Sequence, residues 1–145
     1  METIDLSPLT HKCVLVVEET LPAGVIANIS AVLSMTIGKE VPQIIGGDVT
    51  DATGSKHCGI TRLPVPILGA TKDIIRSIRQ RLEESGNENT VMVDFTTLAQ
   101  SCRTYEEYTS RMAETPESDL EYIGLGIFAH KKIVNKCTGS LKLIR

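Results

Sequence analysis

Residues 122–143 read YIGLGIFAHKKIVNKCTGSLKL, and this stretch decides the fold of the chain. Its segment GLGIFA, residues 124–129, has the Gly-x-Gly-x-x-Ala spacing of dinucleotide-binding loops. Such a loop needs a long helix and then a second strand that ends in an acidic residue about 20 residues later. Sixteen residues follow Ala129 and none is acidic, so we expect no dinucleotide site. The glycines instead indicate a strand that bends or packs closely against a neighbouring element.

Strand and helix patterns alternate upstream of this stretch. Residues 13–17 (CVLVV) form a continuous apolar run, which predicts a central strand covered on both faces. A helix over residues 23–38 follows, with apolar positions at helical spacing and Gly38 as its C-terminal cap. The next predictions are a strand over 42–47, a hairpin turn over 48–56 with a return strand over 57–61, and an edge strand or loop over 64–68.

The second half of the chain continues the alternation. Thr71 is predicted to cap a helix that ends at Gly86, and residues 91–93 form a strand that leads to Asp94. Thr104 and the glutamate three residues later match a capping box, which starts a helix to about residue 114. The last elements are a strand over 121–129, a short helix over 130–137 and an extended segment over 141–144.

This order of elements predicts an α/β protein, a three-layer α/β/α sandwich with a mixed four-stranded core sheet. The first strand should be central in that sheet. We expect one domain over residues 1–145, in which residues 1–11 are a lead-in segment.

Composition narrows the classes of function. Of the 145 residues, 41% are hydrophobic and 23% are charged, which is ordinary for a globular domain. The net charge of −3 and the 3% aromatic content argue against a dedicated nucleic-acid binder. The four cysteines form no Cys-x-x-Cys pair, so we expect no zinc site, no redox motif and no cofactor.

The same reasoning bears on location and charge. Met1 to Thr10 has no basic start and no long apolar run, and the apolar residues 25–37 are too few to span a bilayer. We therefore expect a cytoplasmic protein with no membrane contact and with reduced cysteines. Residues 131–145 carry five basic and no acidic side chains, which we interpret as a solvated face, with an RNA contact as the alternative.

Motifs at both ends of the chain resemble those of type II peptidyl-tRNA hydrolases. Residues 12–17 (KCVLVV), an acidic turn and a small-residue helix with Gly24 resemble the start of that family. Residues 123–126 (IGLG) and 133–143 (IVNKCTGSLKL) resemble its Gly-x-Gly strand, its short helix and its terminal Leu-Lys-Leu. Asp94 falls where that family carries an aspartate after a strand.

The middle of the chain resembles a sister family, the "domain of unknown function two-thousand". Gly46-Gly47-Asp48, Asp51-Ala52-x-Gly54, His57 and residues 64–68 carry this second resemblance, which runs from Lys12 to Arg145. It implies a fold like that of the type II hydrolases and implies no activity.

Two departures from the pattern of the type II hydrolases argue against the hydrolase reaction. The type II hydrolases place lysines at the start of their first helix, where this chain has AGVIAN at residues 23–28. Their aspartate is followed by Ala-Gly-[Lys/Arg]-Thr, whereas Asp94 is followed by Phe95-Thr96-Thr97-Leu98. Hydrolysis of the ester needs a positioned proton donor or acceptor and cationic groups for phosphate. The resemblance therefore favours the fold over the reaction.

Five residues are the candidates for a site. We predict Asp94 and His57 as catalytic residues and Gly24, Asn28 and Asp51 as ligand-binding residues around a cleft at the strand ends. The alternatives are purely structural roles. Asp94 would be a strand-end carboxylate that accepts from backbone N–H groups, and residues 48–54 would be a hairpin turn. The latter segment does not fit a calcium loop, and a single histidine with two carboxylates is a poor metal site, so we predict none. Arg76, Arg79 and Arg81 on the second helix are interpreted as a solvated face.

The sequence thus favours a small-molecule-binding or non-catalytic oligomeric protein that lacks the hydrolase lysines. The alternative is a hydrolase of peptidyl-tRNA or another ester or amide that uses Asp94 with His57 or Asn28. We expect a small-molecule ligand and a homodimer as partners, with RNA as the less favoured alternative.

Overall fold

The computed structural model describes residues 10–86 and 89–145, along which strands and helices alternate. The strands are β1 His11–Glu18, β2 Val49–Thr50, β3 Lys56–His57, β4 Ile67–Ala70, β5 Val91–Thr96, β6 Tyr122–His130 and β7 Lys142–Leu143. The helices are α1 Ala23–Glu40, α2 Lys72–Ser85, α3 Thr97–Ser101, α4 Tyr105–Ala113 and α5 Lys131–Thr138, with 3₁₀ turns at Pro42–Ile44 and Glu117–Asp119.

The main sheet has five strands in the order β5-β6-β1-β4-β7, so β1 is central as predicted. β1 pairs parallel with β4 and antiparallel with β6, which makes the sheet mixed. The prediction of four strands was wrong by one, because the extended segment at the C-terminal end adds β7 antiparallel to β4. Two residues of β7 pair, and so short an edge strand leaves no alternating pattern in the sequence.

Helices cover both faces of the sheet because the side chains of β1 alternate between two separate apolar clusters. Leu15 and Val17 point to one face, where they pack with Ile29, Leu33 and Ile37 of α1. The other face holds the alternate residues of β1 together with apolar side chains of α2 and α5: Val14, Val16, Ile75, Ile78, Leu82 and Val134. A strand buried on both faces reads as a continuous apolar run, as CVLVV does.

The glycines of β6 allow α1 to lie directly on the sheet. A Cβ atom at Gly124 would stand 2.5 Å from Ile29 Cγ2, and one at Gly126 would stand 2.9 Å from Ile37 Cδ1. Both distances are shorter than any ordinary carbon–carbon contact, so a side chain at either position would push the helix away. The prediction that these glycines serve close packing is confirmed.

Several local predictions are confirmed by hydrogen bonds. The Thr71 hydroxyl accepts from the Ile74 N–H at the start of α2, and the Thr104 hydroxyl accepts from the Glu107 N–H at the start of α4. Gly86 ends α2 in the left-handed conformation, with φ of 57°. A hairpin also forms in the predicted segment, as the pairing of β2 with β3, although β2 lies inside the predicted turn and the return strand ends at His57.

Other local predictions were wrong. α1 continues through Gly38 to Glu40, so Gly38 is not its cap. The predicted strand at 42–47 is mostly a 3₁₀ turn, because Pro42 favours the first position of such a turn. The edge strand predicted at 64–68 begins at Ile67 and lies inside the sheet, between β1 and β7. Of the lead-in, residues 1–9 lie outside the described residues, and residue 11 already belongs to β1.

No helix in the described part of the chain is both long enough and apolar enough to cross a membrane.

Replacing Gly124 by alanine is expected to lower the free energy of unfolding by about 1–3 kcal/mol, because the added methyl group overpacks the contact with α1. Urea unfolding of the wild type and the variant measures the difference. Gly47→Ala is the matched control, since no atom would lie within 4 Å of its Cβ. Equal losses of stability in both variants would contradict the packing role of Gly124.

Candidate functional site

The carboxyl ends of three strands meet at one edge of the sheet. β1 and β5 both run antiparallel to β6, and β4 runs parallel to β1, so all three end at this edge. The chain leaves β1 for α1 on one face and leaves β4 for α2 on the other face. Neighbouring parallel strands whose helices depart to opposite faces form a switch point, where open α/β sheets bind their ligands.

A cleft of about 510 Å³ opens at this edge, and we name it the carboxyl-end cleft. Its size lies within the range of small-molecule sites. Its lining comes from the end of β1, the turn before α1, the start of α2, α3 and the start of β6. The lining residues are Glu18, Thr20, Leu21, Thr71, Lys72, Asp73, Thr97, Gln100 and Ile123. Most of these side chains are polar, and they include charges of both signs.

Glu18 is the buried acceptor of the cleft, with 8% of its surface exposed. The Thr20 hydroxyl donates to its two carboxylate oxygens at 2.7 and 2.8 Å, and the Thr20 N–H donates at 3.3 Å. Within the described residues no ion pair reaches Glu18. A carboxylate has about four acceptor sites, so Glu18 keeps capacity for a further donor.

Lys72 supplies the positive charge of the cleft from the first turn of α2. Its Nζ donates to Glu121 Oε2 at 2.8 Å, and its side chain is 45% exposed. The hydrogen bond and the charge of Glu121 raise the pKa of Lys72, and the charge of Glu18 adds to this effect. Lys72 is therefore cationic, and it shares the cleft with the carboxylate of Glu18.

The structure does not bring the five predicted site residues together. Gly24 and Asn28 lie one turn apart on the exposed side of α1. Asp94 lies across the sheet from them, since its carboxylate meets Arg79 of α2. His57 and Asp51 lie together in the β2–β3 hairpin. Only that last pair is in hydrogen-bond contact.

The hairpin is organised by the Asp51 carboxylate. Its Oδ2 lies 2.8 Å from His57 Nε2, and its Oδ1 accepts from the Thr53 hydroxyl and from the N–H groups of Thr53 and Ser55. The contact with His57, followed by those from Thr53 and Ser55, lowers the pKa of Asp51 well below its usual range. The pair is exposed to solvent, and Cys58 beside it is exposed as well. The geometry is that of a turn with Asx-type hydrogen bonds.

Asp94 belongs to a charged network around a buried tyrosine ring. Arg79 Nε donates to Asp94 Oδ2 at 3.0 Å, and Arg76 Nη1 donates to Glu117 Oε1 at 2.9 Å. Both guanidinium groups stack on the Tyr122 ring, at 5.0 Å for Arg76 and 4.9 Å for Arg79. Tyr122 also donates from its hydroxyl to Glu117. The charged groups of this network are therefore paired with one another inside the protein.

The network corrects two interpretations of the sequence. Asp94 lies in the middle of β5, and its partner is a guanidinium rather than backbone N–H groups. Arg76 and Arg79 are not a solvated face, whereas Arg81 is exposed as expected. Burial raises the pKa of Tyr122 to about 12, so its hydroxyl keeps the proton that it donates to Glu117.

Sequence reasoning missed Glu18 and Lys72 as site residues. The signal for Lys72 was present, because Thr71 was predicted as a helix cap and the next residue must then lie at a strand–helix junction. Glu18 was read as part of a turn, since the sequence does not show that β1 and β4 are neighbours. Among residues 10–86 and 89–145 no group of three or more histidine, cysteine or acidic side chains is arranged to hold a metal ion.

Comparisons with known proteins agree with this fold. A family model described as "Protein of unknown function (DUF2000)" matches residues 11–145. A solved structure of a protein of unknown function from Agrobacterium tumefaciens is similar, with a TM-score of 0.82 and 20% sequence identity. The match covers 92% of this chain and 96% of the other. No curated protein matches the chain.

Asp94→Asn is expected to lower the free energy of unfolding by about 1 kcal/mol, because the Nε of the half-buried Arg79 loses its charged acceptor while Glu83 and Glu117 stay near Nη1. Chemical denaturation measures the loss. Asp73→Asn serves as the control, since this carboxylate forms no ion pair within the described residues. A variant as stable as the wild type would show that the Asp94–Arg79 contact does not hold β5 to α2.

Lowering the pH is expected to loosen the hairpin separately from the rest of the molecule. The pKa of Asp51 is lowered in the folded state, so its contribution is present above the unfolded pKa of about 4 and is lost as the pH falls towards the folded value. Hydrogen exchange of the Thr53 and Ser55 amides in Asp51→Asn at neutral pH should show the same loss of protection. Unchanged protection in that variant would contradict the role of Asp51.

Proposed function

Because this chain belongs to the DUF2000 family, whose description names no activity, we propose its function from the geometry: it binds a small polar molecule in the carboxyl-end cleft. One observation carries the proposal. A nearly buried carboxylate and a lysine of opposite charge line the same cleft at the switch point between β1 and β4. Such convergent polar groups are what fix the orientation of a ligand.

The chemistry of the lining selects the kind of ligand. Glu18 offers acceptor oxygens to an amine, ammonium or hydroxyl group. Lys72 offers a donor to a carbonyl, carboxylate or phosphate oxygen, in exchange for its contact with Glu121. Gln100 and Thr97 add neutral donors and acceptors on the side of α3. The ligand is therefore a small molecule that carries both a donor nitrogen or hydroxyl and an acceptor oxygen.

A hydrolase is the second candidate, since motifs at both ends of the sequence resemble those of type II peptidyl-tRNA hydrolases. A carboxylate that can act as a base and a cation that can stabilise negative charge lie in one cleft, which supports an ester or amide substrate. Asp94 is less suited to this role than the sequence suggested, because Arg79 occupies its carboxylate. His57 and Asn28 do not line this cleft and lie on other surfaces of the protein.

We further propose that the chain is one domain that works as a homodimer in the cytoplasm, without RNA. Large apolar side chains of Met35, Val49 and Ile60 are more than half exposed, and each would gain from burial between two copies of the chain. All four cysteines are free thiols, in keeping with a reducing compartment. Light scattering of the purified protein measures the oligomeric state.

Amino acids, amino sugars and other small molecules with both groups are expected to raise the melting temperature of the wild type. Glu18→Gln keeps the shape of the side chain and removes its charge, so the affinity should fall by about tenfold or more, equivalent to about 1.4 kcal/mol. Lys72→Met should weaken the same ligands, whereas Lys39→Met, at an exposed lysine of α1, should not. Calorimetric titration of each variant measures these changes.

Affinity that is unchanged in Glu18→Gln and Lys72→Met would overturn the assignment of the site. An assay of N-acetyl-aminoacyl-tRNA hydrolysis separates the two candidates. Binding alone predicts no turnover by the wild type. Turnover that is lost in Lys72→Met and kept in Asp94→Asn would instead establish the hydrolase at this cleft.

A further inference from the structure

A second cavity lies at the other end of β1, and we name it the α5 pocket. It encloses about 400 Å³ between the start of β1, the segment before β4, and α5 with the turn after it. On β1 the nearest lining residues of the two cavities are Val14 and Glu18, which lie four residues apart, about 13 Å along a strand. The α5 pocket is lined by His11, Lys12, Cys13, Val14, Leu63, Pro64, Pro66, Leu68, Val134, Asn135, Thr138, Gly139 and Leu141.

The lining combines an apolar floor with a positively charged rim. The floor is formed by side chains that are themselves nearly buried, among them Val14, Leu63 and Val134. At the rim, Lys12 Nζ donates to Asn135 Oδ1 at 2.7 Å. None of the described lining residues is acidic. A molecule with an apolar body and a negatively charged end therefore matches both parts of the pocket.

Proline interrupts the ladder between β1 and β4 beside this pocket. The Leu15 N–H donates to the Pro66 carbonyl at 3.0 Å, which sets the register of the parallel pair. Extending this register by two residues would make the Pro66 nitrogen the donor to the Cys13 carbonyl. Proline has no N–H, so the ladder cannot supply this bond. The alternation of the strand directs the same carbonyl away from β6.

The Cys13 carbonyl is thus a main-chain acceptor without a ladder donor, in a residue that is 2% exposed. Within the described residues no backbone N–H outside the regular strands donates to it. A buried carbonyl that lacks a donor is unfavourable, because it has given up its hydrogen bond to water and gained none in return. Because Cys13 lines the α5 pocket, a donor group on a bound molecule can satisfy this acceptor.

We propose that the α5 pocket is a binding site for a small, mainly apolar molecule that carries an N–H or O–H donor and an anionic group. The donor meets the Cys13 carbonyl, the apolar body fills the space over Val14 and Val134, and the anion lies against Lys12. The volume suits a molecule of about 15 to 25 non-hydrogen atoms and excludes a helix or a folded segment.

The probe for the test is 1-anilinonaphthalene-8-sulfonate, which has two aromatic parts, one N–H donor and one sulfonate. The full-length wild type is expected to bind the probe saturably at one site. Binding is followed by the fluorescence of the probe, which is excited in its own absorption band. Leu141→Trp fills the pocket and should weaken binding by about tenfold or more. Leu143→Trp is the matched control, because this side chain is two residues away and does not line the pocket.

Two further measurements address the polar contacts. Lys12→Met should weaken binding severalfold and reduce its dependence on salt. In protein labelled with ¹³C at the cysteine carbonyls, the Cys13 signal should shift when the probe is added, while the Cys58 and Cys102 signals stay in place. This readout separates a ligand bond from a purely structural effect of the variants.

Binding that persists in Leu141→Trp, does not saturate, or leaves the Cys13 carbonyl signal unmoved would overturn the proposal. Thermal unfolding of each variant is measured alongside. A Leu141→Trp protein that is less cooperative than the wild type would be replaced by Thr138→Leu, which adds bulk at another lining position. The carboxyl-end cleft is not involved, so Glu18→Gln should bind the probe as the wild type does.

Discussion

The close contact between α1 and the two glycines of β6 is the constraint on which the rest of the structure depends. Gly124 and Gly126 leave room for Ile29 and Ile37 against the sheet. With α1 on that face, β1 is covered on both sides, because α2 and α5 cover the other. Neither face of this central strand is open to solvent. Polar groups of the strand can therefore contact a ligand only at its two ends.

The carboxyl end of β1 shows how this constraint leads to a site. The strand carries only apolar side chains from Cys13 to Val17 and then ends in Glu18, which remains mostly buried. Removing a carboxylate from water is costly unless donors replace the water. Thr20 supplies two of these donors, and Lys72 adds its positive charge from across the switch point. An acidic side chain held in this way can recognise a ligand without moving, because the turn already orients it.

The pattern of the sequence predicted most helices and the strands β1, β5 and β6, and it predicted β4 and β7 poorly. CVLVV and the capping threonines Thr71 and Thr104 carry local physical signals, and each was confirmed. β7 pairs through two residues and gives no periodic signal. The contacts of Glu18, Lys72 and Arg79 depend on which strands and helices are neighbours in space, and their partners lie far away in the chain, as Glu121 does from Lys72. Asp94 was chosen from its resemblance to a motif, yet the guanidinium that pairs with it lies 15 residues earlier on α2.

The start of β1 is unpaired on one side, and the sequence contains the reason. Pro64 and Pro66 precede β4, and a proline can accept but cannot donate a ladder hydrogen bond. The pairing of β4 with β1 therefore starts at Leu15, although β1 itself starts four residues earlier. Residues 11–14 are paired with β6 on one side only, and α5 bridges the open side. An apolar cavity next to an unpaired stretch of backbone follows directly from the position of these prolines. A regular strand in their place would have closed the sheet and left no cavity at this end.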